Sequence, residues 1–128
     1  MTEYRYDHVH LRSLDPEKAA QFYIDMFGAE LIGKLRNGRT LRVSVNLGGL
    51  PLFIDQVPPG THGPLTPPSL GVEHVGLIVP DLAAAAAELT AKGAEFTVQP
   101  TSPRPGTKIA FIRGPDDVQI EVLERSPV

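Results

Sequence analysis

His8 and His74 each sit in a short segment of alternating polar and apolar residues, DHVHL at 7–11 and EHVGL at 73–77. Each histidine has an acidic residue at the same distance downstream: His8 to Asp55 and His74 to Glu121 are both 47 residues. An imidazole and a carboxylate, written twice, make the donor set of a divalent cation or an acid–base pair. The sequence has no cysteine, so a metal here would be held by nitrogen and oxygen alone.

The segments around these residues define the elements that must position them. Residues 6–13 alternate as a half-buried strand, with Val9 and Leu11 on one face and His8, His10 and Arg12 on the other. Asp15 before Pro16 predicts a capped helix over 15–27, with Ala19, Phe22, Tyr23, Met26 and Phe27 at helical spacing and Gly28 as its stop. Three strands follow at 30–35, 40–47 and 51–57, separated by Asn37-Gly38 and Gly48-Gly49. Residues 58–71, rich in proline and glycine, read as a connector. The second half repeats this order. It runs through a strand at 73–79, an Asp81-capped helix over 81–92, a strand at 94–99, turn material in SPRPG, and strands at 107–113 and 118–124.

An offset of 66 places His8 on His74, Asp15 on Asp81, Arg42 on Lys108, Val43 on Ile109, Gly48 on Gly114 and Asp55 on Glu121. One deletion brings Gly28-Ala29-Glu30 onto Gly93-Ala94-Glu95. Strand side chains alternate between faces, and the apolar sets Leu52/Ile54 and Val118/Ile120/Val122 claim the face toward the helices. His8, Asp55, His74 and Glu121 then fall on the opposite face. Four ionisable groups converging in one concavity are costly unless neutralised, and a divalent cation would do that. His10, Arg12, Arg42 and Lys108 are the candidates for binding a substrate beside it. Gln56, an alternative to Asp55, belongs to the helix-packed face in this register.

The stretches DHVHLRSLDPEKAAQFYIDMFGAEL, EHVGLIVPDL and GPDDVQIEVLE, in this order, resemble the vicinal-oxygen-chelate superfamily over roughly residues 5–124. This is the group that includes glyoxalase I, methylmalonyl-CoA epimerase, extradiol dioxygenases, fosfomycin-resistance enzymes and bleomycin-binding proteins. The resemblance implies an α+β fold of two βαβββ modules related by a pseudo-twofold axis, their mixed sheet curled around a metal-lined cleft, with a homodimer as the usual assembly. It implies a single domain over 1–128, with modules at 5–57 and 73–124 and a connector at 58–72. Carried over residue by residue, it makes His8, Asp55, His74 and Glu121 the ligands of a divalent metal: Ni, Co, Zn, Mn or Fe. Two departures stand out. Asp117 occupies a glycine position of the turn motif, and Asp55 is shorter than the glutamate or glutamine of the glyoxalase and epimerase branches.

Composition narrows the partners. A net charge of −3 provides no positive field for nucleic acid or an anionic membrane, so the expected partner is a small molecule. The polar N-terminus MTEYRYDH lacks the apolar core of a signal peptide, and no apolar run is long enough to span a bilayer, so the expectation is a cytoplasmic protein. The function that the resemblance implies for these residues is a metal-dependent lyase or isomerase of the glyoxalase or epimerase type, acting on a small carbonyl compound through a metal-stabilised enolate. Glu121 and Asp55 would be its catalytic carboxylates. The alternatives are an Fe(II) ring-cleaving dioxygenase-like enzyme, for which two histidines and one carboxylate suffice, and a non-catalytic protein that binds a drug or metabolite.

Overall fold

Val9 and Leu11 alternate with polar neighbours, as do Leu52 and Ile54, and the two strands that carry them pair in parallel, Val9 with Leu52 and Leu11 with Ile54. The computed structural model describes residues 1–64 and 66–127 and divides into two units, Met1–His62 and Gly63–Val128. Among the described residues no helix is long and apolar enough to cross a membrane.

The first unit runs β1 (Val9–Ser13), α1 (Pro16–Phe27), β2 (Glu30–Asn37), β3 (Thr40–Leu47) and β4 (Leu50–Gln56). Its sheet has the order β1-β4-β3-β2. The Asp15 side chain accepts from the Lys18 N–H at 3.1 Å, and Pro16 fills the first turn, where an amide would have had no partner. Pro16, Ala19, Ala20 and Tyr23 form the buried stripe of α1, at the spacing of one helical face. That face packs on β3 and β4, where Val43, Val45, Leu47, Leu52 and Ile54 are buried. Each such aliphatic side chain contributes about 1.5–3 kcal/mol by leaving water. Gly48 and Gly49 join β3 to β4 in a two-residue turn with both φ values positive, 59° and 101°, a conformation that glycine adopts without cost.

The second unit runs β5 (Val75–Ile78), α2 (Leu82–Ala91), β6 (Phe96–Arg104), β7 (Thr107–Arg113) and β8 (Gln119–Arg125), with the sheet order β5-β8-β7-β6. Asp81 caps α2 through the Ala84 N–H at 3.0 Å, and Leu82, Ala86 and Leu89 are its buried positions. Each half thus has a βαβββ order and its own four-stranded mixed sheet.

Several strand boundaries differ from expectation. β6 extends through Ser102 and Pro103, which the sequence suggests as turn material, and the turn is Pro105-Gly106. Proline is accommodated because β6 is an edge strand, and the Ser102 hydroxyl donates to the Thr107 carbonyl at 2.9 Å across the hairpin. β1 and β5 are shorter than expected, so that His8 and His74 each lie one residue before a strand.

The halves also differ in how their strands line up. Arg12 is opposite Asp55 in the first sheet, and Gly76 is opposite Glu121 in the second. Relative to the offset of 66, β5 is displaced by two residues along β8. Such a step leaves every side chain on its original face, so the pleat is satisfied while the neighbours change.

Candidate functional site

In the second unit the site is a pair. Nε2 of His74 lies 3.5 Å from Oε1 of Glu121. Nδ1 of the same ring is 2.9 Å from Oε2 of Glu73. An ionised carboxylate only accepts, so in the tautomer whose Nδ1–H donates to Glu73 the Nε2 lone pair would face Glu121. Two acceptors then face one another without a hydrogen bond, an arrangement that a shared cation relieves. Metal–nitrogen and metal–oxygen bonds of about 2.0–2.2 Å place adjacent donors about 3.0–3.5 Å apart, so the pair fits a divalent cation. The carboxylate behind the imidazole is the usual support of a metal-bound histidine.

Local packing explains why Glu121 is available. It lies across from Phe111 on one side and Gly76 on the other. A Cβ at Gly76 would meet Oε1 at 3.6 Å, an ordinary van der Waals contact, so glycine opens this flank of the carboxylate without being required there. The Phe111 ring meets His74 edge-on, with centroids 5.1 Å apart.

The first unit is built differently. His8 has the same carboxylate support, Nδ1 standing 2.8 Å from Oδ2 of Asp7, but its ring is stacked on Phe53 with centroids 4.1 Å apart. Asp55 bonds elsewhere. It receives Nε–H of Arg42 on Oδ1 at 2.6 Å and Nη2–H on Oδ2 at 3.1 Å, while His10 Nε2 lies 3.0 Å from Oδ2. The Arg42 guanidinium carbon stands 4.9 Å from the centroid of Phe53. The hydrogen bond from Arg42 lowers the Asp55 pKa from its ordinary value, and the same bond raises that of Arg42. A dication reaching Asp55 would meet a guanidinium already bound to both oxygens, so this carboxylate does not suit a metal as His74 and Glu121 do. Among the described residues no group of three or more His, Asp or Glu side chains is gathered for a metal ion.

The equal intervals in the sequence therefore do not become equal geometry. Because of the two-residue step, the residue beside His8 that corresponds to Glu121 beside His74 is Phe53. Asp55 lies one same-face position further on and meets His10 instead.

A second correspondence also fails. Phe111, not Lys108, lies opposite the carboxylate as Arg42 does. Five residues, 114–118, separate β7 from β8, whereas two separate β3 from β4. The difference of three is odd and turns Lys108 to the helix-packed face. There its Nζ is 3.7 Å from Oε2 of Glu124, whose other oxygen accepts the Leu82 N–H at the start of α2. Arg12 lies in the row of Asp55 and Arg42, exposed. Asp7, Glu73, Phe53 and Phe111 are parts of the site that the sequence argument passed over. The acidic residue preceding each histidine was the signal for the first two.

Comparison with known proteins agrees with the topology. The sequence model of the Glyoxalase/Bleomycin resistance protein/Dioxygenase superfamily matches residues 5–122. No curated protein matches in sequence. Similar solved structures include a glyoxalase family protein from Enterococcus faecalis, 22% identical over 94% of this chain and 97% of that one, with a TM-score of 0.80. The fosfomycin resistance protein FosX from Listeria monocytogenes is 16% identical over 98% of this chain and 96% of that one, with a TM-score of 0.75. A glyoxalase I mutant from Zea mays is 21% identical over 94% of this chain but 44% of its own, also with a TM-score of 0.75. At these identities the likeness is one of fold.

Proposed function

The chain belongs to the glyoxalase/bleomycin resistance protein/dioxygenase superfamily, and from that membership we propose that it is a divalent-metal enzyme acting on a small substrate with adjacent oxygens. The proposed donors are His74 and Glu121 of the second half, to Ni, Co, Zn, Mn or Fe. The observation that carries this reading is the Nε2 of His74 facing Oε1 of Glu121 at 3.5 Å, with Glu73 fixing the other ring nitrogen. When bound, the cation would supply electrophilic polarisation of a substrate carbonyl. Glu73 and Asp7 support the imidazoles through their Nδ1 atoms, and Glu121 would take a proton from the carbon next to that carbonyl. This is chemistry of the lyase or isomerase type. The proposal includes a cytoplasmic homodimer, with support from family membership alone.

Asp55 enters this proposal with a changed part. Its oxygens are held by Arg42 and His10 and its pKa is lowered, which suits a fixed anion better than a general base or a ligand. That observation favours a second reading. With Asp55 committed elsewhere, two histidines and one carboxylate are the set used by Fe(II) oxygenases, so a ring-cleaving, oxygen-dependent reaction is the competing assignment.

Metal analysis followed by two assays separates these readings. Exchange of substrate α-protons for deuterium without oxygen, across hemithioacetals and acyl thioesters, supports the lyase or isomerase. Oxygen uptake that depends on Fe(II) supports the oxygenase. Protein that emerges from chelator-free buffer without stoichiometric metal, and that none of the five ions reconstitutes, contradicts both and favours a non-catalytic binding protein.

A further inference from the structure

We propose that Arg42, locked by Asp55 over the ring of Phe53, with Arg12 and His10 on the other side of that carboxylate, is a binding site for the carboxylate of a small monoanion. The inference uses the first unit alone and does not depend on a bound cation.

The donors are present and unspent. Arg42 gives Asp55 one N–H from Nε and one from Nη2, and no other hydrogen-bond partner of its guanidinium is found among the described residues. Of the five N–H donors of a guanidinium this leaves three, including both on Nη1. Arg12 is opposite Asp55 in β1 and Arg42 is opposite it in β3, so the row reads Arg12, Asp55, Arg42 across three adjacent strands. Arg12 has no ion-pair partner among the described residues. Two guanidinium charges therefore stand against a single carboxylate, an excess of one positive charge that matches a monoanion. His10 commits Nε2 to Asp55, leaving Nδ1 on the same face.

The arrangement is also prepared in advance. A free arginine loses side-chain freedom when it captures an anion, whereas the fork to Asp55 has already fixed Arg42. The Phe53 ring beneath the guanidinium keeps water from one side and strengthens the interaction. Access remains, since the Arg42 and His10 side chains keep 34% and 37% of their surface exposed. The second unit lacks this group: Gly76 and Phe111 flank Glu121, with no cation opposite it.

The test is a nuclear magnetic resonance titration of the full-length protein with benzoate, and with benzamide as a neutral control of the same shape. Benzoate is expected to shift the amides around residues 42–44 and 53–55 saturably, and benzamide is not. Arg42→Gln should weaken benzoate at least about tenfold, equivalent to a lost charge-assisted bond. Arg12→Gln, which removes the excess charge, should give a smaller loss, and His74→Ala none. The amide spectrum of each variant reports that it has folded. Equal binding of benzamide, shifts centred elsewhere, unchanged affinity in Arg42→Gln, or loss of binding in His74→Ala would each overturn the assignment.

Discussion

Phe53 lies against His8 with ring planes 19° from parallel, filling the place beside the histidine that Glu121 fills in the second unit. A stacked phenylalanine shields the protons of the ring beneath it. In Phe53→Ala the carbon-bound protons of His8 should move downfield, and those of His74, which meets Phe111 edge-on, should not. Histidine-selective proton spectra check this, and unmoved His8 signals would refute the stack.

Glu73 is exposed, so its bond to His74 adds little to stability, yet it decides which ring nitrogen is free. Glu73→Gln should leave thermal unfolding unchanged and weaken Zn(II) binding by about tenfold, the lower end for a lost ligand support. Parallel calorimetry and metal titration measure the two effects.

Asp55 makes one pH-dependent contribution whose sign follows from its surroundings. The hydrogen bond from Arg42 lowers its folded pKa below the ordinary value of 3.8. Between those values the unfolded chain binds more protons, so the stabilisation is complete above the unfolded value and is lost as pH falls through the folded one. The difference in urea midpoint between the native protein and Asp55→Asn should shrink as pH falls from about pH 5 toward about pH 3. A difference that grows on acidification would show the opposite shift.

Asp117 has φ 61°, in the left-handed region, and accepts from Arg113 Nη1 at 3.0 Å. Both Asp117→Gly and Asp117→Ala lose that bond, but only glycine escapes the steric cost of a Cβ at positive φ. The glycine variant should be the more stable by about 1 kcal/mol, measured by denaturant unfolding.

These residues show where sequence reasoning reaches and where it stops. Helix starts were legible because Asp15 and Asp81 cap through local bonds that depend on nothing distant. The faces of β4 and β8 were legible because burial alternates along each strand. The partner of His8 was not, because alternation is blind to an even slip, and the displacement of β5 is even. Lys108 was misplaced for the complementary reason: the longer turn at 114–118 shifts β7 by an odd number and reverses its face. Residues 109–112, Ile-Ala-Phe-Ile, are apolar at every position, so no alternation in the sequence marked the reversal that buries Ala110 and Ile112.

The most direct test is Zn(II) affinity, measured by competition with a chelating dye, in Glu121→Gln, His74→Ala and Asp55→Asn. The first two should weaken binding at least about tenfold and the third should stay within about twofold of the native protein. If Asp55→Asn weakens binding as much as Glu121→Gln does, Asp55 is a ligand and the asymmetry between the halves is not functional.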